Sequence, residues 1–270
     1  MPQPKPAKAR PTLILLLGFL ILLPALAFLA LFSTTPGDHT RLRYSLPPSP
    51  LGLRIESRLN GDSTAGQDTY LLAINAQTVD NLLSNLVANP LQSQPASRAE
   101  EYPYLITDGT NTQEILVQFA TPSFIRLLVE DWSFFLSFLL LLSVSSVVYF
   151  RRPELPAART YFILSCLIVS SGLVFFIGIR ASDLLTGLIF WLWIWSVLPI
   201  YGLLVGAVVH FALVFPEPRP VLRRHPSAIL LAYICVWIPY LALAAALLPS
   251  YVTPSQRIQV LLEGTGVMTL

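Results

Sequence analysis

The stretch LLTGLIFWLWIWSVLPIYGLLVGAVVHFALVF, residues 184–215, runs for 32 residues without an Asp, Glu, Lys or Arg. A hydrocarbon core roughly 30 Å thick is crossed by about 20 apolar helical residues at about 1.5 Å each, so this run overshoots one crossing by more than half. Trp191, Trp193, Trp195 and Tyr201 crowd its first half, and amphipathic rings favour the headgroup level. The expected crossing is therefore residues 195–215, with the preceding turns along the interface. Four more charge-free runs fit the same ruler: residues 13–32, 132–150, 161–179 and 229–248. A last apolar segment, 258–270, has only 13 residues and is too short to cross. It reads as a partial span, so the expectation is a fragment of a longer protein whose remainder begins inside the bilayer.

Composition agrees with a membrane protein. Of 270 residues, 54% are hydrophobic and 12% charged, against about 25% charged in soluble domains, and the mean hydropathy is +0.64. The net charge of +2 is too small for a nucleic-acid binder. Its distribution is more telling, since 11 of the 15 acids lie between Phe32 and Trp132. Orientation follows from the Lys and Arg of the short loops. Lys5, Lys8, Arg10, Arg151, Arg152, Arg159, Arg219, Arg223 and Arg224 fall on one side and only Arg180 and Arg257 on the other. Residues 1–12 are then expected to be a cytoplasmic N-terminus and residues 33–131 extracytoplasmic, as in a multi-pass membrane protein. The basic start and Ala25-Leu26-Ala27 also match a cleavable signal peptide, but Phe28 to Phe32 continue apolar past that site, which favours a retained first span.

The extracytoplasmic segment opens with a Pro-rich stalk, residues 33–50. Leu51 to Glu56 alternates as a half-buried strand does, and Tyr70 to Asn75 is a second strand candidate. Val79, Leu82, Leu83 and Leu86 recur at helical spacing before Asn89-Pro90. Two further apolar runs flank Asp108-Gly109, a pair suited to a tight hairpin turn. Residues 51–120 thus predict a small α+β domain between the first and second spans, and residues 132–270 a membrane bundle.

No catalytic signature is visible: there is no H-E-x-x-H, no G-x-S-x-G and no phosphate-binding glycine loop. Cys166 and Cys235 lie in apolar runs, and His39, His210 and His225 share no helical face, so neither a disulfide, a metal site nor a cofactor is expected. His210 is the deepest ionisable residue of a full span. It follows Gly202 and Gly206 at intervals of four, a stripe that should face protein, where the ring makes a structural hydrogen bond in preference to a ligand or proton site. Arg180 and Asp183 read as interfacial charges with snorkelling side chains, and Glu263 as a charge early in the terminal segment.

Two resemblances add to this reading. Leu51-Gly52-Leu53 opening a strand resembles the carboxylate-binding loop of a PDZ domain, and Leu71-Leu72-Ala73-Ile74-Asn75-Ala76-Gln77-Thr78-Val79 is similar to the strand and turn before its next helix. The sequence departs from that pattern at Gly66-Gln67-Asp68-Thr69-Tyr70, where a glycine-aspartate turn is usual, and at Ala76, where a glycine is usual. The resemblance implies peptide capture in a groove with Leu51 in its loop, Gly52 and Leu53 as backbone donors and Val79, Leu82, Leu83 and Leu86 as the other wall; the plainer alternative is a spacer whose groove is filled by its own stalk. The span ending His210-Phe211-Ala212-Leu213-Val214-Phe215-Pro216, followed by Pro218-Arg219-Pro220, looks like the sensor region of polytopic bacterial histidine kinases, some of which carry a PDZ-like domain in this position. It implies a homodimeric sensor of a two-component system that takes a peptide C-terminus or a hydrophobic ligand, with signal passing through residues 119–131 and the phosphoacceptor and ATP-binding domains beyond Leu270. Other expectations are a different output, such as a phosphatase or cyclase, or a membrane-anchored PDZ-like scaffold.

Overall fold

A computed structural model describes residues 11–38, 40–43, 52–57, 69–88, 101–121, 125, 128–129, 132–216, 219–220, 222, 225 and 227–246. The chain divides into two compact units, one of residues 1–27, 128–175 and 196–242, the other of residues 28–127, 176–195 and 243–270.

The second unit holds an antiparallel sheet in the order β1-β2-β3-β5-β6, with the short β4 paired to β3. Its strands are β1 (Thr40–Arg43), β2 (Leu53–Ser57), β3 (Thr69–Ile74), β4 (Gln77–Thr78), β5 (Glu101–Thr107) and β6 (Thr112–Gln118). The alternation read at residues 51–56 and 70–75 becomes β2 and β3, and the helical spacing after Thr78 becomes α2 (Val79–Ala88). Leu53, Leu71 and Ile74 from the sheet and Val79, Leu82, Leu83 and Leu86 from α2 are all buried. Removing such side chains from water contributes about 1.5–3 kcal/mol each, which is why the apolar stripe of α2 lies inward. Tyr102 stacks on Phe119 with centroids 4.2 Å apart, and Tyr104 meets the same ring edge-on.

The β5–β6 hairpin turns at Asp108-Gly109, with Gly109 at φ +91°. Amides of Asn111 and Thr110 and the Thr110 hydroxyl donate to the Asp108 carboxylate, holding its carboxyl down at about 2. A departure is the Pro-rich stalk: Ser33 and Thr34 end the first helix, Gly37 pairs with Ala120, and Thr40 to Arg43 form β1, antiparallel to Arg54–Ser57 of β2. Prolines discourage a regular sheet edge, but four residues between them are enough for a ladder against β2.

The helices are α1 (Pro11–Thr34), α3 (Trp132–Arg151), α4 (Pro156–Ile177), α5 (Gly187–Val214) and α6 (Ala228–Ala246). Four of them, over Thr12–Thr34, Trp132–Arg151, Pro156–Phe175 and Gly187–Val214, are long and apolar enough to cross a membrane. Within the first unit α4 is the most enclosed. Gly18 of α1 leaves room for Phe162 and Cys166, Ser170 donates to the Ile21 carbonyl at 2.8 Å, and Gly172 faces the Phe138 ring of α3. Leu164 and Leu167 pack with Ile200 and Ala207 of α5. The hydroxyls of α4 are bonded to backbone carbonyls, Ser165 to Tyr161 and Ser171 to Leu167, so a serine-rich helix can be buried.

Two differences from the expected spans have physical reasons. Helix α4 begins at Pro156 because proline suits a first helical position, and ends at Gly178, whose φ of +72° closes the helix. Helix α5 is continuous from Gly187 through Pro199 to Val214, and in its first turns Ile189, Phe190 and Trp193 are buried, Leu188 is exposed, and the Trp191 indole donates to the Leu86 carbonyl at the end of α2, 3.2 Å away. Leu86 is among the last carbonyls of α2, which lack intrahelical partners. The segment 258–270 and Glu263 lie outside the described residues.

The β3–β4 turn tests the local reading. Asn75 and Ala76 both have positive φ, +50° and +60°, as a two-residue hairpin of the primed type requires. Alanine is strained there, and the cost of the left-handed region is about 1–2 kcal/mol. Ala76→Gly is expected to raise unfolding stability by roughly 0.5–1 kcal/mol after the entropy cost of glycine, measured by chemical denaturation; a loss of stability would show the turn to be different.

Candidate functional site

The second unit brings together three stretches that are distant in sequence: the segment after α1 (Thr35–Asp38) with β1, Tyr104 of β5, and the connection from α4 to α5 (Gly178–Thr186). At the centre is Asp38, 2% exposed. Its Oδ2 accepts from the Thr40 hydroxyl at 2.6 Å and the Tyr104 hydroxyl at 3.0 Å. Its Oδ1 accepts from the Ser182 hydroxyl at 3.0 Å and lies 3.5 Å from the Ser182 amide, while the Asp38 amide donates back to Ser182 Oγ at 3.1 Å. Thr40 Oγ1 accepts from the Ala181 amide at 3.1 Å, and the Leu42 amide donates to the Ile179 carbonyl at 2.8 Å. The connection is thus stitched to β1 by side chains and backbone alike.

Beside Asp38 is a second buried charge system. Arg180 and Asp183 are 4% and 1% exposed, with Arg180 Nη2 2.7 Å and Nε 3.0 Å from Asp183 Oδ1. The Arg180 amide donates to Asp183 Oδ2 at 2.8 Å, closing a short 3₁₀ turn over Ala181–Leu184. Arg180 Nη1 reaches the Thr35 carbonyl at 3.2 Å, and its guanidinium carbon stands 4.2 Å from the centroid of Phe32. Gly37 lies against this group: a Cβ there would come within 2.6 Å of the guanidinium, so no larger residue fits. The Gly37 backbone pairs with Ala120 beyond β6, at 3.0 and 2.9 Å.

The snorkelling expected of Arg180 and Asp183 is therefore corrected. Each charge has its partner at hand, which makes burial tolerable. Burial pushes the Asp183 carboxyl above its usual range, with the Arg180 guanidinium pulling the other way. Burial and the neighbouring Asp38 carboxylate both push the Tyr104 hydroxyl up, so it stays a hydrogen-bond donor. Asp38, Thr40, Tyr104 and Ser182 escaped sequence reading, because no spacing connects residues up to 144 positions apart. The only trace was a cation and an acid three apart between two long apolar runs.

The residues singled out from sequence fall elsewhere. Leu51 lies outside the described residues. Gly52 has φ +133°, and a Cβ on it would stand 2.4 Å from the Leu71 carbonyl oxygen, so its glycine is required by close backbone approach to β3. Leu53 is fully buried and paired with Leu71, and β2 has neighbours on both edges, β1 and β3. Val79, Leu82, Leu83 and Leu86 are 4% exposed or less and serve the core. In the first unit, Gly202 and Gly206 face Trp237 and Tyr233 of α6, where a Cβ on Gly206 would come within 2.4 Å of the Tyr233 ring. The stripe is thus filled by α6 of the same chain. His210 Nδ1 is 3.4 Å from the Tyr233 hydroxyl, a hydrogen bond between helices of the kind expected from its position. No family model, curated protein or solved structure matches the chain.

The Arg180–Asp183 pair can be probed by breaking it in two ways. Asp183→Asn leaves the guanidinium without its ion-pair partner and is expected to cost about 3–5 kcal/mol of unfolding stability, whereas Arg180→Met with Asp183→Leu strands no charge and is expected to cost less, about 1–3 kcal/mol for the Arg180 amide left without its acceptor. Thermal or chemical unfolding of the purified chain distinguishes them. Equal losses in both variants would mean that the pair itself, and not the stranded charge, sets the stability.

Proposed function

We propose that the chain is the signal-input region of a membrane-bound sensor, of the two-component histidine kinase kind, placed in a bacterial cytoplasmic membrane with its N-terminus inside and residues 33–131 outside. The single observation that carries the reading is the bonding of the sheet to the α4–α5 connection through Asp38–Ser182, Thr40–Ala181 and Leu42–Ile179. A domain swinging freely on a stalk transmits nothing to helices; one bonded to the turn between two long apolar helices moves that turn when it moves. The reading is supported further by the four helices able to cross a membrane, by the excess of Lys and Arg in alternate loops, and by the resemblance of the His210–Pro220 stretch to kinase sensor regions. A hydrophobic molecule, or a peptide C-terminus bound elsewhere than at the taken edges of β2, would act by binding one arrangement of the sheet better than another, since only differential affinity shifts an equilibrium. The scaffold alternative is less favoured, because a recruited peptide would need an edge of β2 and both edges are taken.

Two measurements test this. In a Cys166→Ala, Cys235→Ala background, Thr110→Cys is expected to react with a membrane-impermeant maleimide on intact cells and Arg152→Cys only after permeabilisation; the reverse pattern overturns the orientation. Reading the coding sequence past Leu270 is expected to show a histidine-containing helical hairpin and an ATP-binding domain. A stop codon directly after Leu270 overturns the kinase reading.

A further inference from the structure

Thr186 immediately precedes α5, where a threonine hydroxyl ordinarily accepts from an amide two or three residues further on. Here the side chain is 8% exposed and its hydroxyl has no partner among the described residues, while the Ile189 amide bonds to the Thr186 carbonyl at 3.2 Å. A buried hydroxyl without a partner is disfavoured, and a helix start that lacks its side-chain cap is weaker than one that has it. A cap from the Thr186 hydroxyl to an amide in the first turn of α5 would remove both deficits at once. What opposes it lies just upstream. Ala181 is held by Thr40, Ser182 by Asp38 and Asp183 by Arg180, and the Leu185 amide is bonded to the Ser182 carbonyl at 3.0 Å. The turn is fixed from the sheet side in a geometry that the helix start would not choose for itself.

We propose that the α4–α5 connection is a two-state latch. In the latched state Asp38 and Thr40 hold Ala181 and Ser182, and Thr186 is left uncapped. In the released state the Asp38 contacts open to water, and the Thr186 hydroxyl caps α5. The uncapped helix start offsets part of what the polar junction contributes, which brings the two states close enough for a modest input to change their balance. Polar groups suit such a contact, because water replaces their partners on opening in a way it cannot for an apolar core. The input is any shift of β1 along β2, since Thr40 and Leu42 belong to β1 and both bond the connection. The latch deepens the sensor reading by naming the turn that responds, and it is a property of the fold whatever follows Leu270.

The test is hydrogen exchange by mass spectrometry on the full chain in lipid nanodiscs. Thr186→Val keeps the shape but removes the unpartnered hydroxyl from the latched state and the cap from the released one. Exchange over residues 179–187 is expected to slow by about fivefold, and Thr186→Ser to behave as the parent. Asp38→Asn is expected to speed exchange in the same peptide by about tenfold or more, with the turn end of the β5–β6 hairpin, residues 107–112, which lies away from the Tyr104–Asp38 bond, unchanged; Ser182→Ala, a milder change, should move it in the same direction. Unchanged or faster exchange in Thr186→Val overturns the latch. So does an Asp38→Asn or Ser182→Ala effect that spreads equally to residues 107–112, because it would mark general unfolding. The readout contains no kinase activity, so a stop codon after Leu270 would remove the kinase and leave the latch, and a failed exchange test would do the opposite.

Discussion

A carboxylate with almost no access to water has to be surrounded by donors, and Asp38 draws them from three separate parts of the chain: Thr40, Tyr104 and Ser182. Leaving such a group unpaired is among the most expensive defects a protein interior can carry. The requirement therefore does more than satisfy one residue. It fixes the path of the chain between α1 and β1, places the aromatic side chain of β5, and determines where the α4–α5 connection can lie. The neighbouring Arg180–Asp183 pair works by the same logic, and Gly37 is small because the guanidinium occupies the space its side chain would take.

Polar and apolar cohesion divide the work. The sheet and α2 are held by ordinary burial of Leu, Ile and Val, a non-directional term that tolerates small adjustments. The contacts to the connection are hydrogen bonds and charges, which are directional and are either made or not made. In the helical unit the balance differs again. There glycines at 18, 172 and 206 admit aromatic or sulfur-bearing side chains, and hydroxyls bond to backbone carbonyls of their own or a neighbouring helix.

Periodicity and alternation are local properties, and they made much of the fold legible. The charge-free runs became long apolar helices, the repeat at Val79, Leu82, Leu83 and Leu86 became α2, and Asp108-Gly109 became a turn. Element limits were less legible where a neighbour intervened. The aromatic first half of α5 read as interfacial because tryptophan suits a headgroup layer, and nothing local to it told that the Trp191 indole has the end of α2 as its partner. The stalk read as irregular because of its prolines, yet residues 40–43 find β2 beside them. The resemblance to a carboxylate-binding loop drew attention to Gly52 for a ligand, and the structure supplies a packing reason for the same glycine.

By itself the sequence determined which segments are apolar enough to be long helices, that β2, β3 and the two runs flanking Asp108-Gly109 are strands, and that the acids concentrate in one intervening domain, because each of these depends on residues within a few turns of one another. The tertiary structure alone decided that Asp38 meets Ser182, that Arg180 and Asp183 are enclosed and not solvated, that Gly202 and Gly206 serve α6, and that Thr186 stands uncapped. A charge in a short loop has the same sequence signature whether it points to water or to a partner 144 residues away. What separates the two is the free energy of taking it out of water, and that is defined only once the chain has folded around it.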